Sequence, residues 1–485
     1  MSILQSYLKR GTYNSFFYIL SSFCARALSF FFLPFLLRNF SLEEFGLLDY
    51  YQFFFSMSCL ILTSCSSTSM LRFCIKYQKD PQKKQQIIGN SLLMTIIGSL
   101  LFLLIIFIIP KHSILNTDYL YITTFNIFLF SLFSIELAYL RTHEYAITYM
   151  ILFLLQTTIA CILTIIGIQR GYHLHAFFLS TTISILVFIP FFGYLLKHNF
   201  NFSVQLIKEQ FTFSFPLLIY SIFYMGFFAI DRWYLTKAGL EQLGIYSILW
   251  RFGSIFQFIT VGMSDAMPIV LFNAQEEENA NSLVPQLMRI FCIVLASLGL
   301  CIIGASIVAI QFFLPAKYCY LITYLPFFFY SLIIFELARF FQMGIALANK
   351  TYYNPFIALL ILAIQLGVLH LGSFFGLKGL FISNGISFLI YCFVSFKISS
   401  KYYIFMLNAR FVGLILFILT LLIILFNQLI FLIQPMIAFF IIFAIWCLAV
   451  WTITISQEEQ LWIKKYYKHF ITKIHLRIYS KRAPQ

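Results

Sequence analysis

Long apolar runs follow one another along almost the whole chain, separated by short polar segments. A helix needs about 20 mostly apolar residues to cross a bilayer. Windows of that size place spans at 13–37, 46–70, 87–110, 118–140, 146–167, 176–196, 211–231, 243–270, 287–314, 321–343, 354–371, 377–396, 411–428 and 435–454. The pattern predicts an all-α integral membrane protein of about fourteen transmembrane helices. None of the connections is long enough to hold a soluble catalytic module. Lys9 and Arg10 precede an apolar run too long for the core of a cleaved signal, so the first helix is expected to stay.

Composition strengthens this reading. Of 485 residues, 61% are hydrophobic and 10% charged, against roughly 25% charged in a soluble domain. Phe alone supplies 62 residues, too many for one compact core, so much of the apolar surface must face lipid. The net charge of +15 raises the question of nucleic acid. Its distribution argues against that partner, because the basic residues cluster between apolar runs and in the tail, where they meet anionic headgroups. The ten Cys lie mostly within apolar runs, including Cys24, Cys59, Cys161, Cys301, Cys392 and Cys447, without metal-ligand spacing. They read as small buried apolar residues. His143, His173 and His175 also lack ligand spacing. No metal and no cofactor is expected.

Lys and Arg counts orient the chain. The side of the N-terminus carries 22 and the opposite side six, while Arg26, Arg232, Arg251 and Arg339 fall in or at the ends of spans. The bias places both termini in the cytoplasm, and an even helix count requires them to share a side. Beyond the last span, Trp462, Tyr466, Tyr467, Phe470 and Ile474 recur at helical spacing among lysines. Residues 456–485 therefore read as a basic amphipathic tail on anionic lipid, with a disordered basic tail as the alternative.

Two local matches point to duplication. SLFSIELA at 131–138 agrees with SLIIFELA at 331–338 in five of eight positions, and LEEFG at 42–46 parallels LEQLG at 240–244. The offsets, 200 and 198, agree. They predict a six-helix lobe at 1–200, a parallel copy at 201–400 and two additional helices at 401–455. Parallel repeats are common in secondary transporters, with the substrate path at the repeat interface.

At this point the chain resembles the polysaccharide flippases (Wzx type) of the superfamily that includes MATE drug exporters and lipid II flippases. The resemblance rests on FFFLPFLLRNFSLEEFGLLDYYQF, Phe30 to Phe53, and on FSFPLLIYSIFYMGFFAIDRWYLTKAGLEQLGIYSI, Phe213 to Ile248. It runs over most of the chain, roughly residues 5–455. It implies two six-helix lobes around a cavity that opens alternately to either side. The implied cargo is an oligosaccharide on an undecaprenyl-diphosphate carrier, with a polysaccharide polymerase or chain-length regulator as a further partner. One departure is the acidic loop with Glu276, Glu277 and Glu278, which reads as a solvated surface.

Ionisable groups within spans are costly and are functional candidates by default. Arg26 lies about 13 residues into the first span, roughly 18–20 Å along it at ~1.5 Å per residue and so near mid-bilayer. Its planar fork suits a diphosphate, and a structural ion pair with an acid on a neighbouring helix is the alternative. Arg251 shares the anion-binding role or extends outward to the interface. Arg232 is a third candidate contact for the anionic headgroup. Asp231, expected with Arg232 at the end of its helix, is open to pairing with Arg26 or Arg251, to binding a coupling proton, or to simple helix termination. Glu136 and Glu336 form a repeat-related pair, and Arg339 is placed to pair with Glu336 at i, i+3. Asp49 and Asp265 are candidates of the same kind. Pro34, Pro216, Pro268 and Pro326 are expected inside spans as kinks or hinges.

The expected function is thus export of a lipid-linked sugar by alternating access, not catalysis. No Walker loop points to ATP. A MATE-like exporter of small cations is a rival, which would favour deep acids over arginines. A membrane polymerase or ligase is another, and it would need a large outer loop that this chain lacks.

Overall fold

The computed structural model describes residues 2–108, 117–188, 190, 193, 201–275, 280–347, 350, 352–402 and 409–454. Every regular element among these residues is helical. The principal helices are α1 (Ser2–Asn39), α2 (Leu42–Lys76), α3 (Pro81–Ile108), α4 (Thr117–Thr142), α5 (Ala146–Gln169), α6 (His173–Leu186) and α7 (Val204–Ala238). They continue as α8 (Leu240–Gln275), α9 (Ala280–Phe313), α10 (Leu325–Phe341), α11 (Tyr353–Gly372), α12 (Gly376–Tyr402), α13 (Ala409–Leu432) and α14 (Pro435–Ala449). A 3₁₀ segment, Ala316–Thr323, precedes α10.

Each predicted span overlaps one of these helices. Among the described residues, twelve helices are long and apolar enough to cross a membrane. The two exceptions are α6, which is described over only 14 residues, and α8, whose later side chains lie outside the described residues. The tail at 456–485 and Glu276, Glu277 and Glu278 also lie outside them.

Several helices exceed the predicted spans. α2 and α7 each have 35 residues, or about 52 Å at ~1.5 Å per residue, against a hydrocarbon core of about 30 Å. Their extra turns carry the charges that the apolar windows left out. Glu43 and Glu44 open α2 and Lys76 closes it. The SLEE stretch is a capping box: Ser41 Oγ accepts from the Glu44 N–H at 3.2 Å, and Glu44 accepts from the Ser41 N–H at 2.9 Å. Pro34 and Pro216 lie inside α1 and α7 as expected. Pro326 does not: it sits in the first turn of α10, where a helix has no use for the missing N–H. Pro285, inside α9, is a helical proline that the windows missed.

The described chain packs as two units. The first comprises Met1–Ile259, Phe313–Tyr318 and Lys350–Tyr391. In it α2 packs against α3, α4 and α7, through neutral polar groups rather than oil alone. Thr95 donates to Ser66 at 2.7 Å, Gln210 to Ser91 at 3.0 Å, and Ser214 to the Cys65 carbonyl at 3.0 Å. Small hydroxyl residues allow close helix approach, and their hydrogen bonds gain from the apolar surroundings.

The second unit comprises Thr260–Phe312, Cys319–Asn349 and Cys392–Gln485. Its centre is α10, whose most apolar window is 89% buried, more than that of any other spanning helix described. Tyr330 bonds Thr420 on α13 at 2.7 Å, and Trp446 on α14 donates to Ser297 on α9 at 2.9 Å. Gly304 on α9 sits against the Phe439 ring, with no room for a Cβ.

Candidate functional site

The site begins at the α7–α8 turn. Gly239, at φ +126°, closes α7 and is the single residue between the two helices. Because Gly tolerates this backbone, α8 starts at once and lies beside the start of α2. There the LEEFG and LEQLG segments meet reciprocally. A Cβ on Gly46 would overlap the Leu240 carbonyl oxygen, and a Cβ on Gly244 would overlap the Leu42 carbonyl oxygen. Gly244→Ala is therefore expected to destabilise this packing by roughly 1–3 kcal/mol. Gly262→Ala, where a Cβ meets open space, should not destabilise. Thermal unfolding of the purified variants checks this, and equal stability of the two would contradict the close approach.

From that contact, successive turns of α2 present Asp49 and Gln52 to α7 and α8. Asp49 accepts from Arg232 Nε at 2.8 Å and Nη2 at 3.3 Å. Both residues are buried. Arg232 also donates to the Phe228 carbonyl at 3.2 Å and lies against the Phe53, Tyr246 and Trp250 rings. In this structure the fork of Arg232, a candidate headgroup contact, is occupied by Asp49, which satisfies it more completely than the neighbouring neutral groups can.

The next turn holds Arg251. Its Nη2 donates to Gln52 Oε1 at 3.2 Å, it lies over the Phe45 ring, and its buried Nε has no hydrogen-bond partner. Arg26 on α1 donates to the Ser254 carbonyl at 3.1 Å and faces the Phe258 ring at 5.1 Å. Its side chain is exposed. Among the described residues, neither Arg26 nor Arg251 makes an ion pair. Arg26 on α1 and Arg251 on α8 thus keep unspent donors, beside Arg232, which is fully committed.

Asp231 corrects two expectations. It lies inside α7, which continues to Ala238, rather than at a helix end. It also pairs with neither Arg26 nor Arg251. One step along a helix turns a side chain by about 100°, so Arg232 points to α2 while Asp231 points to α11 and α12. Asp231 accepts from Tyr246 at 3.0 Å, Asn384 at 2.8 Å and Gln365 at 3.4 Å. Three neutral donors thus surround a buried carboxyl.

The repeat-related acids differ. Glu336 pairs with Arg339 at 3.0 Å. At the position 200 residues earlier, Tyr139 stands where Arg339 does. Buried Glu136 correspondingly has no partner at Oε1 among the described residues. The side chains of Asp265 and Pro268 lie outside the described residues.

A cavity of about 300 Å³ opens within the first unit, lined from α1, α2, α4, α5 and α6. Gln52, Thr123 and Gln156 are among its polar residues and Phe55, Phe130 and Phe177 supply rings, and among the described residues no charged side chain lines it. A search for charges could not find it. The available signal was carboxamides inside apolar spans, which also explains why Gln365 and Asn384 were missed. Among the described residues no group of His, Cys, Asp and Glu could hold a metal.

Solved structures share the fold. A lipid II flippase, MurJ, in an inward closed conformation aligns at 14% identity, covering 88% of this chain and 97% of that one, with a TM-score of 0.66. An inward-facing multidrug resistance MATE transporter aligns at 14% identity over 78% of this chain and 93% of its own, with a TM-score of 0.63. The Vibrio cholerae MATE transporter VcmN aligns at 18% identity over 82% and 97%, with a TM-score of 0.54. No curated protein matches the chain. The family described as polysaccharide biosynthesis protein matches residues 12–270. That is more than half of the sequence and includes α2, α7 and most of α1 and α8, so the chain belongs to the polysaccharide biosynthesis protein family.

Proposed function

We propose that this multi-pass membrane protein moves a saccharide linked to undecaprenyl diphosphate from the cytoplasmic to the periplasmic leaflet of the bacterial cytoplasmic membrane. One observation carries the reading: Arg26, on a helix long and apolar enough to cross a membrane, and Arg251, within an apolar run on α8, have no acid partner among the described residues. A guanidinium persists there when water or an anion is close. A diphosphate matches its planar fork in charge and geometry. The family and the likeness in fold to a lipid II flippase support the same cargo class.

Transport proceeds by alternating access between two parallel repeats, 1–200 and 201–400, with 401–455 as an addition and the tail on anionic lipid. With both termini cytoplasmic, the α1–α2 and α7–α8 turns face the periplasm. The contacts Gly46–Gly244, Asp49–Arg232 and Gln52–Arg251 then close the outer end. Opening it would break the Asp49–Arg232 pair and release Arg232 toward the departing headgroup. Asp231, held by neutral donors, is the position for a coupling proton. A polymerase would take up the saccharide on the far side.

Depletion of the protein in its native cell tests this. The expected result is loss of surface polysaccharide with accumulation of carrier-linked saccharide in lipid extracts, read by mass spectrometry. Unchanged lipid-linked and surface pools, together with retention of a cationic dye, would favour a drug exporter instead.

A further inference from the structure

We propose that the cavity among α1, α2, α4, α5 and α6 binds one neutral sugar ring of the cargo, an inference that rests on the lipid-linked saccharide reading above. Gln156, in the lining, donates its Nε2 to Ser184 at 3.0 Å, so its Oε1 is the group left to accept from a ligand. Gln52, also in the lining, spends its Oε1 on Arg251 at 3.2 Å, so its amide N–H groups are left to donate to a ligand. Thr123, 1% exposed, has a hydroxyl with no partner among the described residues. The cavity is therefore lined by a carboxamide donor from α2 and a carboxamide acceptor from α5, with an unpartnered buried hydroxyl beside it on α4.

Burying such groups unmatched is costly, and a polyol returns a complementary set. The Phe55, Phe130 and Phe177 rings supply flat apolar faces for the C–H faces of a pyranose. A volume of about 300 Å³ is at the small end of ligand pockets, of the order of one ring rather than a whole repeat unit. Without a charged side chain in the lining, a uronate would leave its carboxylate unpaired. Arg251 acts here as a positioning residue, since it fixes the orientation of Gln52 from behind.

The test is equilibrium binding to the purified full-length protein in lipid nanodiscs. The probes are bare undecaprenyl diphosphate and the same carrier bearing a hexose, an N-acetylhexosamine or a hexuronate. At least one neutral sugar should tighten binding over the bare carrier. Gln156→Leu and Thr123→Val should each erase that gain, roughly tenfold, while the bare carrier still binds and so reports a folded protein. Arg26→Ala should weaken all four probes alike.

Equal binding of bare and sugar-bearing carriers, or a gain that survives both cavity variants, overturns the sugar site and leaves the flippase reading standing. A hexuronate gain equal to the neutral one overturns the neutral assignment. Failure of the wild type to bind any carrier overturns the flippase reading itself.

Discussion

Arg232→Met is expected to destabilise the protein by about 3–5 kcal/mol, because it leaves the Asp49 carboxylate buried without its partner. The penalty comes from the stranded charge more than from the lost attraction. Asp49→Leu combined with Arg232→Met should therefore regain most of the stability, since two apolar groups of similar volume need no compensation. Thermal unfolding in detergent with the single and double variants reads the difference. If the double variant is as unstable as Arg232→Met alone, the packing of the guanidinium against Phe53, Tyr246 and Trp250 matters more than the ion pair. The latch adds a second expectation. The stable double variant should transport more slowly than wild type, because its closed outer end has lost an interaction specific to that state.

Arg26→Ala is expected to abolish surface polysaccharide while the protein remains in the membrane at normal abundance. Arg26 makes only one hydrogen bond within the described structure, to the Ser254 carbonyl, so its removal strands no carboxylate and costs little stability. A charge-assisted pair of bonds to a diphosphate is worth about 3 kcal/mol, or roughly a hundredfold in affinity. Arg26→Lys should retain part of the function, since it keeps the charge but loses the planar fork. Full surface polysaccharide in Arg26→Ala would remove Arg26 from the binding role.

How much of this was legible in the sequence differs from feature to feature. The helices were, because long apolar runs leave few other structures possible in lipid. The boundaries were less so. Glu43, Glu44 and Lys76 belong to α2 but fell outside a window tuned to oil. The reciprocal meeting of Gly46 and Gly244 was half visible: the matched LEEFG and LEQLG segments were plain, but not that they touch.

The candidate site was legible only as a set of charges. Arg26, Arg232 and Arg251 announce themselves in apolar runs, but partners 183 residues apart, as in Arg232 and Asp49, leave no mark in the spacing. Asp231 misled for a related reason. The sequence offered cations as its partners, whereas the fold supplies Tyr246, Gln365 and Asn384. The cavity was hidden because its chemistry is uncharged.

The most direct test of the central claim is translocation by the purified protein in sealed vesicles. Fluorescent undecaprenyl-diphosphate saccharide is placed in both leaflets, and a membrane-impermeant quencher is added outside. The account predicts that wild-type protein exposes the inner-leaflet pool to the quencher, whereas vesicles with Arg26→Ala/Arg251→Ala keep it protected like protein-free vesicles. Equal exposure by the wild type and the double variant would contradict it, as would protection of the pool by both.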